Sequence, residues 1–213
     1  TERKLAEAAV RESELLVKGV LDSLTAEIAV LDEHGVIVTV NAAWQDFARD
    51  NDSTDPVDFV GVNYLTTCEA AIQQGDPIAY QVTHGIRAVL AGSQAQFSVE
   101  YPCDAPHQPR WFTLTVLPLQ QARPGVVVIH QDVTARKRAE AALQARLRLS
   151  HFAETHTLAE LLQRTLDEAE VLTGSQIGFF HFLEADQQTL SLQMWSTNTL
   201  QTMCTAEGMG QHY

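Results

Sequence analysis

Asp132, Thr134 and Arg136, at the end of an alternating apolar strand, are the residues whose spacing most plainly could do work. An aspartate two positions before a threonine sets a carboxylate where the free N–H groups of a starting helix point, and the threonine hydroxyl is suited to capping it. Arg136 is placed to pair with an acidic residue on the preceding core. Such a trio joins a sheet to a helix; it breaks no bond. Other reactive residues are isolated. Cys103 and His107 flank a loop containing Pro106 and make half of a metal site, with no second pair near in sequence. A small hydrolase built on them is the enzymatic alternative, and it predicts turnover that Cys103→Ala abolishes. Ser150-His151-Phe152 lacks the Glu, Arg and Pro that surround a phosphoacceptor histidine, and neither a glycine-rich nucleotide lid nor a cyclase signature is present. No catalytic residue and no metal site are assigned.

The chain of 213 residues is long enough for one large or two small domains, and 45% apolar content supplies an ordinary core. A formal net charge of −13 has the wrong sign for a phosphate backbone or an anionic membrane surface, so no nucleic-acid partner is expected. The cluster Arg136, Lys137, Arg138 reads as a charged linker face beside Glu140. Apolar runs fall far short of the ~20 residues that cross a bilayer, so no membrane segment is expected. Cys68, Cys103 and Cys204 are too few and too scattered for a disulfide framework, which fits a reducing, cytoplasmic setting.

The elements that must hold these residues follow from periodicity. Residues 1–25 carry Leu5, Ala9, Leu16, Val20 and Leu24 in a proline-free stretch with a wide polar face, a connector helix. Ile28 to Leu31 and Val36 to Val40 form a hairpin around Asp32-Glu33-His34-Gly35. Short helices follow from Asn41, at Leu65 to Ile72, and at Pro77 to Leu90, the last begun by Asp76-Pro77 and closed by Gly92. Strand alternation returns at Phe97, Val99 and Tyr101, at Phe112, Leu114 and Val116, and over Val126 to Val133. Two strands, a helical excursion and three strands predict an α+β fold: a five-stranded antiparallel sheet with its helices on one face. A second connector helix runs from Thr134 toward His156. Thr157-Leu158-Ala159-Glu160 is a capping box opening a helix whose stripe of Leu158, Leu161, Leu162, Leu166, Ala169 and Leu172 belongs to a core. Strands at 177–183 and 190–195 complete too little to bury a domain, so residues 174–213 are expected to be poorly ordered or packed on a neighbouring chain.

A repeat ties the two connectors together. Thr1 to Val10 and Thr134 to Leu143 are identical at seven of ten positions with an offset of 133. If the second copy follows a folded unit, the first is the tail of a preceding one.

The motifs of residues 26–134 resemble those of a PAS domain. They run through Leu31-Asp32, Gly35 and Ile37; Asn41-Ala42-Ala43-Trp44; Gly61-Val62-Asn63-Tyr64-Leu65; Gly85 to Gly92; Glu100-Tyr101-Pro102-Cys103; Arg110-Trp111-Phe112; and the closing Asp132-Val133-Thr134. From about Ser150 the chain is similar to the start of a GAF domain, at Ile177-Gly178-Phe179-Phe180 and Met194-Trp195-Ser196. The resemblance implies connector helices at 1–25 and 135–156, a PAS domain at 26–134, and an incomplete, α/β GAF-like segment at 157–213. It further implies a bacterial multi-domain sensor in which the module controls a downstream effector domain, a histidine kinase or alternatively a diguanylate cyclase. Apolar positions on both connectors predict a parallel homodimer, and a ligand-free dimerisation or spacer module is the competing reading.

The resemblance also implies a small-molecule cavity. Phe47, Leu65, Ile86, Phe97, Phe112 and Leu114 are expected to face inward, while Trp44, Tyr101 and Trp111 are core or cavity aromatics. Cofactor identity stays open. Flavin photochemistry needs a cysteine where Tyr64 stands, and Cys68 is one turn away. Haem needs an axial ligand that aligns nearer Val82 than His84.

Overall fold

The computed structural model describes residues 2–50, 59–103, 109–120 and 123–202, and the chain divides into two compact units after Thr134. Cys204 and His107 lie outside the described residues. In the first unit α1 (Glu2–Asp22) precedes β1 (Glu27–Asp32) and β2 (Ile37–Val40), and three helices follow: α2 (Ala42–Asp50), α3 (Tyr64–Gln73) and α4 (Pro77–Leu90). Then come β3 (Phe97–Pro102), β4 (Trp111–Pro118) and β5 (Gly125–Asp132). The sheet is five-stranded and antiparallel throughout, as the α+β reading required, and its strand order is β2-β1-β5-β4-β3. The first hairpin and the last three strands meet at β1 against β5.

Local chemistry explains the turns. Asp32 Oδ1 accepts the N–H groups of His34 and Val36, both at 2.9 Å, and Gly35 takes the positive φ of 79° that closes the hairpin. Asp76 caps α4 through the N–H groups of Ile78 and Ala79 with Pro77 beside it. The buried face of α4, including Ala79, Val82, Ile86 and Val89, falls at helical spacing. With Leu31, Leu114, Val116, Val126 and Val128 from the sheet it forms the core, each large side chain contributing roughly 1.5–3 kcal/mol on burial.

The N-terminal connector is tied to this core by one side chain. Asn41 is 1% exposed. Its Oδ1 accepts Ile28 N–H at 2.9 Å and Trp44 N–H at 3.1 Å, and its Nδ2 donates to Leu21 O at 3.1 Å and Ala26 O at 2.8 Å. Asp22 Oδ1 receives Ala42 N–H at 2.9 Å. Beyond these anchors Val10, Leu16, Val17 and Val20 of α1 are exposed.

Helix α5 (Thr134–Ala153) begins on the last residue of the first unit, and the second unit takes in the rest of it with α6 (Leu158–Thr173), the hairpin of β6 (Phe179–Leu183) and β7 (Leu190–Trp195), and α7 (Thr197–Thr202). The second connector stops at Ala153, short of His156, because Glu154 and Thr155 N–H groups turn back to His151 and Phe152 carbonyls before the Thr157 capping box. Both copies of the repeat are helical and carry the same ion pair one turn apart, Arg3–Glu7 and Arg136–Glu140, each at 2.8 Å. The stripe on α6 is only half covered: Leu158 and Leu172 are exposed, and the buried residue of this helix is Glu168. A two-stranded hairpin offers too little surface to cover it. Glu168 is held by Arg148, bidentate at 3.1 and 2.6 Å, and by Arg164 at 2.9 Å. Of residues 174–213, expected to be poorly ordered or packed on a neighbouring chain, 174–202 form the hairpin and α7, pinned by polar bonds, with Phe179, Phe182, Leu183 and Leu190 exposed, and 203–213 lie outside the described residues. Ser196 bonds Glu170 and, at 2.7 Å, Thr199, while Thr197 N–H reaches Asp167 at 2.8 Å. Among the described residues no helix is long and apolar enough to cross a membrane.

Candidate functional site

Strand β5 puts Val126, Val128 and His130 on one face by simple alternation, so the run that fills the core ends in an imidazole. Its cross-strand neighbours are Glu27 on β1 and Leu114 on β4. One step further along, Asp132 pairs with Phe112, which in turn pairs with Tyr101 of β3. The sheet face thus changes from aliphatic to aromatic and polar at this end.

Two lobes of about 200 and 190 Å³ open there, and Tyr64, Tyr101 and His130 line both. Glu27, Trp44, Phe47 and Phe112 complete the first lobe. Cys68, Asp76, Val82 and Leu114 belong to the second. Between them runs a hydrogen-bonded bridge: Tyr101 Oη lies 2.7 Å from His130 Nδ1 and Tyr64 Oη lies 3.2 Å from Nε2. Trp44 meets the imidazole edge to face at 5.4 Å. Tyr64 is aimed by its helix start. Asn63 caps α3 at Thr66 N–H and donates to His34 O, while Tyr64 N–H bonds Gly35 O at 2.9 Å.

Burial sets the charge state of these groups. It holds His130 down at about 4, so the imidazole is neutral near pH 7. Burial pushes Tyr64 and Tyr101 well above the usual phenol range and Cys68 up to about 11, leaving a protonated thiol. Burial, with the Asp132 carboxylate adding to it, raises Glu27, whose Oε2 is buried without a hydrogen-bond partner.

Of the residues expected to face inward, Phe47 and Phe112 line the first lobe and Leu114 the second. Leu65, Ile86 and Phe97 line neither. Tyr64 takes the inward position on α3, which turns its neighbour Leu65 against Gly35. Ile86 is fully buried in the core, and Phe97 packs on Gly85 of α4. Trp111 is 37% exposed. His130, Tyr64 and Glu27 are the site residues that sequence reasoning passed over; the Val126, Val128, His130 alternation was the available signal.

Neither haem nor flavin fits. Each lobe has space for about one six-membered ring, by comparison with the roughly 150 Å³ cavity that holds benzene. His84 lies on the exposed face of α4, away from the cavity. Among the described residues no cluster of His, Cys, Asp and Glu could hold a metal ion.

At the junction, Val133 alone separates β5 from α5. Asp132 Oδ1 accepts Thr134 N–H at 2.8 Å. Thr134 Oγ1 does not cap its own helix; it accepts Trp111 N–H at 2.9 Å, while Val133 N–H donates to Trp111 O at 2.8 Å. Arg136 bonds Glu140 on the same helix.

A family model described as the PAS fold matches residues 21–138. An "Uncharacterized 104.1 kDa protein in hypE 3'region" of Rhodobacter capsulatus is 49% identical over 123 residues, covering 56% of this chain and 13% of that protein. A "Methyl sulfide methyltransferase-associated sensor" of Methanosarcina acetivorans is 30% identical over 102 residues, covering 41% of this chain and 10% of that protein. The chain therefore spans a small part of these relatives. Among solved structures, the PAS domain of Bordetella pertussis BvgS superimposes with a TM-score of 0.43 at 19% identity, covering 65% of this chain and 98% of that one. With more than half of its length matched by that family model, the chain belongs to the PAS-fold family.

Proposed function

We propose that residues 21–138 are the sensory unit of a bacterial multi-domain signalling protein, which binds a small molecule without turnover and passes the signal through α5 to a histidine kinase output. One observation carries this reading: β5 bears His130 in the cavity and, two residues on, Asp132 at the start of α5. A ligand that prefers one setting of His130 biases the helix start through the same strand. The sensor-named relative supports a sensory role. Residues 157–213 are read as the beginning of a GAF domain, and exposed Val10, Val17, Val20 and Leu24, at heptad spacing on and just after α1, as the seam of a parallel homodimer in the cytoplasm.

The test fuses the chain to a histidine kinase catalytic core and measures autophosphorylation. Asp132→Ala and Thr134→Val are expected to change the rate several-fold; unchanged rates in both sink the reading. The same pair fused to a diguanylate cyclase core tests the alternative output. A ligand-free spacer predicts protein that dimerises in sedimentation and retains no small molecule in native mass spectrometry.

A further inference from the structure

A neutral imidazole has a single N–H, so one of its nitrogens donates and the other accepts. Both His130 nitrogens face phenols, Tyr101 at Nδ1 and Tyr64 at Nε2. In either tautomer one phenol donates its O–H to the unprotonated ring nitrogen, and the other accepts the ring N–H and keeps its own O–H unused. Among the described residues neither hydroxyl has a second partner. In the same lobe Glu27 Oε2 is buried and unpartnered. A spare donor and a spare acceptor thus share a cavity of about 200 Å³ walled by Trp44, Phe47 and Phe112. Leaving both unmet costs the folded protein; a ligand that meets both recovers that cost.

We propose that the first lobe takes a neutral single-ring amide, a lactam or heteroaromatic equivalent, whose N–H donates to Glu27 and whose carbonyl accepts the spare phenol O–H. The proposal rests on the ligand-binding reading above and names its ligand class. The size follows from the lobe, which has room for one six-membered ring. Flatness follows from the three aromatic walls. Neutrality follows from burial that keeps His130 uncharged and raises Glu27, and from Arg110, which already supplies positive field at that carboxylate.

The experiment titrates the full chain, followed by ¹H–¹⁵N spectra including the Trp44 indole, with 2-pyridone, N-methyl-2-pyridone, benzene, benzoate and benzylammonium. Saturable shifts of Trp44 and His130 are expected with 2-pyridone. N-methyl-2-pyridone is expected to bind about tenfold more weakly, the loss of one hydrogen bond, benzene about a hundredfold more weakly, the loss of two, and the two ions not to bind. Tyr101→Phe and Glu27→Met each weaken 2-pyridone about tenfold and leave benzene unchanged; Tyr64→Phe replaces Tyr101→Phe if the latter's spectrum is not that of a folded chain. Benzene binding as tightly as 2-pyridone, either ion binding more tightly, or no shift at saturating 2-pyridone overturns the proposal. None of these outcomes touches the kinase-fusion result, and a silent fusion alongside 2-pyridone binding sinks the sensory reading alone.

Discussion

Thr134 is bonded to Trp111 rather than to its own helix: its Oγ1 accepts the Trp111 N–H at 2.9 Å. The first residue of α5 is thereby laced to the first residue of β4, while Asp132 on β5 holds the Thr134 N–H. Thr134→Val keeps the shape and removes the acceptor, orphaning a backbone donor at a cost of about 1–3 kcal/mol. Asp132→Ala removes a cap worth about 1 kcal/mol. Thr134→Ser retains the bond and is expected to retain most of the stability. Urea denaturation gives the totals, and hydrogen exchange at Ala135 to Arg138 locates the loss; equal protection in wild type and Thr134→Val would refute the lacing.

Acid stability reports on His130. Its folded value of about 4 lies below the ordinary imidazole value of 6.5, so between these pH values the unfolded chain binds the proton and the folded chain does not. Stability is therefore complete above pH 6.5 and falls as the pH drops toward 4, by about 3 kcal/mol in all. Glu27, across the strand, acts in the opposite sense: its value is raised, so the folded state binds that proton first and offsets part of the loss at the acid end. Asp132 lies on the same face, and the facing phenols of Tyr64 and Tyr101 stay neutral throughout this range. His130→Leu is expected to flatten the slope between pH 6.5 and 4. Denaturation midpoints at a series of pH values give the comparison, and an undiminished slope would assign the acid sensitivity elsewhere.

Gly85 of α4 packs directly on the Phe97 ring of β3. A Cβ built at this position meets the Phe97 ring. Alanine in a helix ordinarily gains about 1 kcal/mol over glycine, yet overpacking here is expected to cost about 1–3 kcal/mol. Gly85→Ala should accordingly lower the melting temperature, and Phe97→Leu in the same chain should restore part of it. A stabilised Gly85→Ala would show that the ring moves aside freely.

The strands and the long helices were legible in the sequence because their periods are strong: Phe112, Leu114 and Val116 alternate cleanly, and Asp76-Pro77 marks a helix start. Strand order was not, since nothing local in Glu27 to Asp32 says that it lies against Gly125 to Asp132. The site was half legible. Phe47, Phe112 and Leu114 are apolar residues on predicted core faces and reached the cavity. His130 and Glu27 were passed over because a polar residue at the end of a strand reads as solvated, and only the closure of β1 on β5 under Trp44 and Tyr64 buries them. Leu65 and Tyr64 are neighbours on one helix start, and which of them points inward depends on how Asn63 anchors the turn to His34.

Asn41 is the corresponding anchor at the other end of the unit. A single amide accepts from Ile28 and Trp44 and donates to Leu21 and Ala26, so α1, β1 and α2 share it. Asn41→Ala leaves several buried backbone groups unmet, each costing about 1–3 kcal/mol. Asn41→Asp keeps the acceptor for Ile28 and Trp44 but sets a carboxylate against the Leu21 and Ala26 carbonyls. It should therefore loosen α1 while leaving β1 and the Trp44 wall of the cavity in place. Hydrogen exchange is expected to show faster exchange at the C-terminal turn of α1 in Asn41→Asp with unchanged protection at Val126 to Ile129. Uniformly faster exchange across the sheet would mean that Asn41 supports the core as a whole rather than joining the helix to it.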